Sequence, residues 1–301
     1  MGNPLLYTVD SGHMDNNSSS YSASAAIQNF LRRRGAVLTI ASCTFLLGIL
    51  GWSVAPTLFT SVNPLHSSSL HALEAPSRAH WFGTDHLGRD LFSRVIYGAS
   101  NSLRATGLAV IVALFGGMPI GFLSGFVGGR TDAAIMRAID VLMAVPSLLL
   151  SMAIVTVLGF GITEIAVAVG FSAVAAFARM ARGEAMRWRG AAFVEAAIAC
   201  GRSPIGTLIT HVLPHAAGPG LALVALEFGS AVLAVSSLSF LGFGAPPPQP
   251  EWGLLIAEGR NYMSVAWWCT TLPGLVVVLV VLAANQLARF IQDRSERIES
   301  E

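Results

Sequence analysis

The sequence predicts an all-α integral membrane protein with six transmembrane helices, and three observations lead there. Of its 301 residues 53% are hydrophobic and only 12% charged, where a soluble domain carries about 25% charged residues; mean hydropathy is +0.63. Uncharged runs long enough to cross a hydrocarbon core, which takes about 20 residues of helix, recur along the chain. These runs show no period-two alternation, so of the two architectures that satisfy their backbone in lipid, helices rather than a closed barrel are indicated.

Taken in order, the runs are residues 35–60, 105–129, 141–163, 162–181, 218–241 and 261–288. The fourth carries Glu164 and Arg179 near its ends, and the fifth contains Glu227. Arginine placement sets the orientation. Arg32, Arg33 and Arg34 precede the first run, and six spans then place thirteen arginines inside and five outside, with both termini cytoplasmic. The first run is too long for a signal-peptide core and reads as an uncleaved anchor. The expected organisation is a disordered cytoplasmic tail at 1–30, whose Ser- and Asn-rich composition cannot build a core, a six-helix transmembrane domain at 31–290, and a cytoplasmic tail at 291–301. Within the domain, 61–104 reads as a partly ordered outer segment and 182–217 as a cytoplasmic loop. The proline-rich residues 246–250 end the fifth helix and open a second outer segment.

Composition also excludes functions. A net charge of +1 gives no bulk field for a nucleic-acid partner. All 18 basic residues are arginines, so the phosphate-binding lysine of a P-loop is missing. Cys43, Cys200 and Cys269 are too scattered for a disulfide framework or a zinc site. His66, His71, His80 and His86 crowd the first outer segment at spacings that match no ligand motif, so no metal and no cofactor is expected. An intramembrane hydrolase would need a nucleophile and base on facing spans. No histidine lies within a proposed span and no G-x-S-x-G occurs, so no catalytic residue is assigned. A secondary transporter would show inverted repeats, and none is evident.

Three features remain. Gly117, Gly121, Gly125 and Gly129 fall at every fourth position, a flat stripe suited to close helix packing. Glu227 lies about 14 Å inside its span at 1.5 Å per residue. Such a carboxylate meets either a substrate or gate, or a neighbouring helix or subunit. The loop after the fourth span is alanine-rich from 191 to 199, favouring helix, with Glu195 near its N-terminus where the dipole favours an acid. Gly201 can end that helix in the left-handed conformation. Ser203 then suits an N-cap with Pro204 at the first helical position, and Pro214 closes the second short helix. A small-residue helix on the inner face could slot into a groove on another protein.

At this loop the chain resembles the permease subunits of ABC importers, whose hallmark is E-A-A, three residues, G, and a later stretch ending in a leucine and a proline. Glu195, Ala196, Ala197, Gly201, Leu213 and Pro214 match it, with His211 where the peptide-import branch commonly has histidine. The dipeptide/oligopeptide permease C type is matched further by Gly83-Thr84-Asp85, Gly88-Arg89-Asp90, Asp132, Asp140, Arg179, Arg182 and Glu251-Trp252-Gly253. Ser100, Val235 and the segment 288–293 depart from that pattern. The resemblance implies a type I ABC importer permease fold in the bacterial inner membrane and a heterodimer with a B-type permease. It further implies two cytoplasmic ABC ATPases that supply all ATP hydrolysis and an extracytoplasmic substrate-binding protein. Alternating access would be driven through Glu195, Ala196, Ala197, Gly201, Ser203, Leu213 and Pro214. Di- or oligopeptides are the implied cargo, with nickel or metallophores and glutathione as alternatives.

Overall fold

A computed structural model describes residues 37–300; the tail expected to be disordered at 1–30, and Arg32, Arg33 and Arg34, lie outside the described residues. The chain divides into two units, Met1–Ala41 and Ser42–Glu301. Of the first, residues 37–41 are described, all helical.

Among the described residues the fold is helical, the sole β feature being an isolated bridge between Thr84 and Asp90. Five helices are long and apolar enough to cross a membrane: α1 (Val37–Val54), α2 (Leu91–Val127), α5 (Ile162–Arg189), α9 (Ala217–Phe240) and α11 (Trp268–Ser300). A sixth crossing is counted only if the bent pair α3 (Gly129–Ala144) and α4 (Ser147–Leu158), which meet at 91°, forms one span. The third span expected at 141–163 is therefore interrupted between Ala144 and Ser147. Pro146 is the cause: the residue before a proline is pushed out of the helical region, and Val145 is extended at φ −92°, ψ 128°.

Helix α2 begins at Leu91, inside the outer segment expected at 61–104, and Asp90 is its N-cap, the side chain accepting from Ser93 N. Helix α5 continues to Arg189, into the segment expected to be cytoplasmic from 182. Residues 291–300, expected as a cytoplasmic tail, form the last turns of α11. The second outer segment contains a helix, α10 (Trp252–Arg260).

Among the described residues α2 and α5 form the most extensive helix pair, while the largest buried apolar cluster joins α2, α9, α10 and α11. A Cβ on Gly117 would stand 2.5 Å from Val174 O, and one on Gly125 2.5 Å from Arg182 O; Gly121 sits against Ala178 O still more tightly. Gly170 on α5 answers from the other side, 2.6 Å from Ala109 O by the same measure. Gly129 does not share this seam. It lies beyond the end of α2, opens α3 at φ +60°, and would meet nothing within 4 Å. Gly128, at φ +72°, breaks the helix one residue earlier and turns the stripe's period out of phase.

Candidate functional site

Between α5 and α9 the chain makes α6 (Ala192–Ala199), α7 (Pro204–Thr207), a π turn at Leu208–Val212 and α8 (Leu213–His215). Glu195 lies in the first turn of α6. At the other end Gly201 N donates to Ile198 O at 2.9 Å and Arg202 N to Ala197 O at 3.1 Å. These two bonds form a Schellman motif, which needs a left-handed residue at its bend; Gly201 supplies it at φ +87°. Ser203 Oγ then accepts from Gly206 N at 3.2 Å, and Pro204 occupies the first position of α7.

Pro214 does not close this segment. The helical path runs through it into α9, because the π turn, with Leu213 N donating to Leu208 O, widens the backbone just ahead of the missing proline N–H. Both Leu213 and Pro214 are exposed.

Val194 is the only buried residue of α6. It packs in a cluster with Ala181 and Ala185 of α5, Phe122 of α2, and Val212 and Ala216. Trp188 stacks on His215 with ring centroids 4.5 Å apart. Ala185 also faces Gly125, so the packing is continuous from α6 through α5 to the α2 seam. Outward, Glu195, Ala196 and Ala199 are exposed and Ala197 is half-buried, with Ile198, Ile205, Ile209 and Leu213 adding open apolar surface. The segment thus offers a partner a small-residue face on a rigid mount.

A second set of contacts was missed by sequence reasoning. Arg182 on α5 holds Asp132 on α3 through two bonds of 2.6 and 2.7 Å, and Ser124 on α2 donates to the same carboxylate at 2.6 Å. Arg179 reaches Asp140 at 2.7 Å. The outer segment carries a buried ion network: Arg89 pairs with Asp85 at 2.6 Å, and Arg89 and Arg94 both reach Glu258 on α10 at 3.1 Å. His80 takes Asp90 at 2.8 Å and His71 takes Glu74 at 2.7 Å. Among the described residues no cluster of three metal-ligating side chains occurs. The sequence signal for the network was Gly88-Arg89-Asp90 with Arg94, but its partner Glu258 is 164 positions from Arg94.

Glu251, N-cap of α10, is sealed from solvent. It accepts from Gly253 N and Leu254 N, each at 3.0 Å, and from Ser102 Oγ at 3.1 Å. Burial pushes its carboxyl above the ordinary 4.5, the four hydrogen bonds opposing.

Glu227, halfway along α9, is remote in sequence from the loop. It lines a cavity of about 620 Å³ bounded by α2, α5, α9 and the α3–α4 bend. Val235, on the same helix, is buried in the core and does not line it.

Apolar helices around a partly open cavity, with a short exposed helix between α5 and α9, are the frame on which the family comparison falls. Residues 117–297 match the binding-protein-dependent transport system inner membrane component family, and the chain belongs to that family. It is 36% identical over 260 residues to the probable D,D-dipeptide transport system permease protein DdpC of Escherichia coli K12, covering 86% of this chain and 87% of that one. It is also 36% identical over 266 residues to the glutathione transport system permease protein GsiD of Pectobacterium atrosepticum, covering 88% of each. Among solved structures, the inward-facing MetNI methionine ABC transporter aligns at a TM-score of 0.52 and 17% identity, over 66% of this chain and 96% of that one. The last likeness concerns fold alone. The chain is a multi-pass permease subunit of an ABC importer, a class that works with ATPase and other permease subunits.

Proposed function

We propose that this permease moves di- or oligopeptides inward by alternating access, paired with a B-type permease, two ABC ATPases and an extracytoplasmic binding protein. The loop from Glu195 to Pro214 receives the stroke of the ATPases, and the Gly117–Gly121–Gly125 seam carries it to the spans. Support for the cargo comes from the D,D-dipeptide permease relative. The observation that carries the coupling role is the asymmetry of α6: one buried anchor, Val194, under an otherwise open small-residue face. A rigid body held this way transmits a push instead of absorbing it.

The test is Ala197→Trp and Gly201→Asp in the assembled transporter. Bulk at Ala197 blocks docking in an ATPase groove, and a side chain at Gly201 opposes φ +87° by about 1 kcal/mol or more. Both variants are expected to insert and pair with the sister permease while ATPase co-purification weakens or ATP is hydrolysed without uptake. Normal ATPase binding together with normal peptide uptake in both would refute the coupling role. A glutathione cargo is the second reading, favoured by the equal identity to the glutathione permease. Glutathione that outcompetes labelled dipeptides for uptake would select it.

A further inference from the structure

Among the described residues Glu227 is the one charged group lining the cavity of about 620 Å³, whose wall is otherwise apolar apart from serines. Three of those serines, Ser151, Ser172 and Ser230, already hold bonds of their own. Ser151 and Ser172 share a hydrogen bond of 2.8 Å, and Ser230 Oγ donates to Leu226 O at 3.3 Å. Ser147 and Ser237 complete the polar lining. Among the described residues no hydrogen bond or ion pair engages the Glu227 carboxylate.

An ionisable side chain at such a depth is costly unless it meets a partner or a water-filled path. The cavity falls in the size range of small-molecule sites, about 300–1,000 Å³. Its composition suits a cargo that is mostly neutral and carries one cationic end: apolar wall for side chains, hydroxyls for amides, one carboxylate for a cation.

We propose that Glu227 is a transient subsite for the α-ammonium group of the passing peptide. The proposal rests on the peptide reading above and deepens it by naming the part of the cargo that the pore recognises. The ammonium is the one cation every unmodified peptide shares whatever its sequence. A single carboxylate in an apolar channel would therefore accept a broad series of peptides and slow compounds that lack the charge. The site must release as well as bind, and the lack of a second acid or a fixed hydrogen-bond cage around Glu227 keeps the hold weak.

The experiment uses the complete transporter in vesicles and two cargoes: dialanine, and its analogue with a hydroxyl in place of the α-ammonium. Each variant is compared with wild type on each cargo, so differences in capture by the binding protein cancel. Glu227→Gln is expected to lower dialanine uptake at least about tenfold while leaving uptake of the hydroxyl analogue within about twofold of wild type. Glu227→Asp should restore most dialanine uptake. As an independent measurement, a hydrophobic carbodiimide should modify Glu227 in wild-type transporter, and dialanine, but not the hydroxyl analogue, should protect it. Equal loss for both cargoes, with no selective protection, would mean that Glu227 braces the fold or pairs with a cation of the sister subunit, and would overturn the subsite. Undiminished uptake of both would overturn it too. If wild-type transporter carries no peptide at all, the peptide reading itself falls, and the subsite with it.

Discussion

Glu251 joins two ends of the chain through a single carboxylate. It caps α10 with two backbone N–H bonds and takes the Ser102 hydroxyl of α2, while Trp252 Nε1 donates to Val95 O at 3.0 Å beside it. Burial raises its pKa above 4.5, which means that the fold favours the protonated acid. A raised carboxyl contributes stability that is complete below the unfolded value, near 4.5, and is lost as pH climbs through the folded value. Thermal unfolding of the purified protein in detergent should therefore occur at lower temperature as pH rises above about 4.5. Glu251→Gln keeps an oxygen acceptor for the cap and removes the proton, so its profile should be flatter over that window. An equal slope in both proteins would show that another group sets the pH dependence.

At the scale of elements, the α2–α5 seam decides how closely the spans can approach. Gly121 has Ala178 O and Ala181 Cβ against it, the latter 2.8 Å from where a Cβ would stand. Gly107, on the same helix, would meet nothing within 4 Å. Gly121→Leu should then drive the helices apart and cost at least about 1–3 kcal/mol, the usual penalty of overpacking. Gly107→Ala should be neutral or slightly stabilising, since alanine is the better helix former by about 1 kcal/mol. The check is the unfolding temperature of each variant against wild type, alongside ATPase stimulation in the assembled complex. Equal tolerance of both substitutions would mean that the seam is looser than its geometry implies. The motif Gly117, Gly121, Gly125 was legible because the helical repeat puts every fourth residue on one face. Gly129 misled because periodicity cannot see that Gly128 has already ended the helix.

At the scale of the whole molecule, the remaining proposal is topology. Six crossings, with α3 and α4 counted as one, return both termini to the same side, and the arginine bias assigns that side to the cytoplasm. Cysteines introduced at Asn17 and Ser300 should resist a membrane-impermeant thiol reagent in intact cells and react once the membrane is opened. Labelling of either from outside would overturn the arrangement, and with it the cytoplasmic placement of the Glu195–Pro214 loop.

The sequence by itself determined what depends on composition and on near neighbours: helices rather than a barrel, because lipid leaves no other use for long uncharged runs, and the α6 bend, because Gly201, Ser203 and Pro204 act within one turn of backbone. It also determined the family motif, which is contiguous. Only the tertiary structure decided the rest. Pro146 marks where α3 and α4 part, but the 91° between them and the tie of α3 to α5 through Asp132–Arg182 and Asp140–Arg179 belong to the packed molecule. The buried Asp85–Arg89–Arg94–Glu258 network and the Glu251 cap join residues some 150 positions or more apart, and no periodicity records which distant charge a given charge will meet. Glu227 could be read as costly from sequence alone. That it lines a cavity with no second charge beside it is a property of the surrounding helices, since a vacancy is made by what packs around it and not by the residue that faces it.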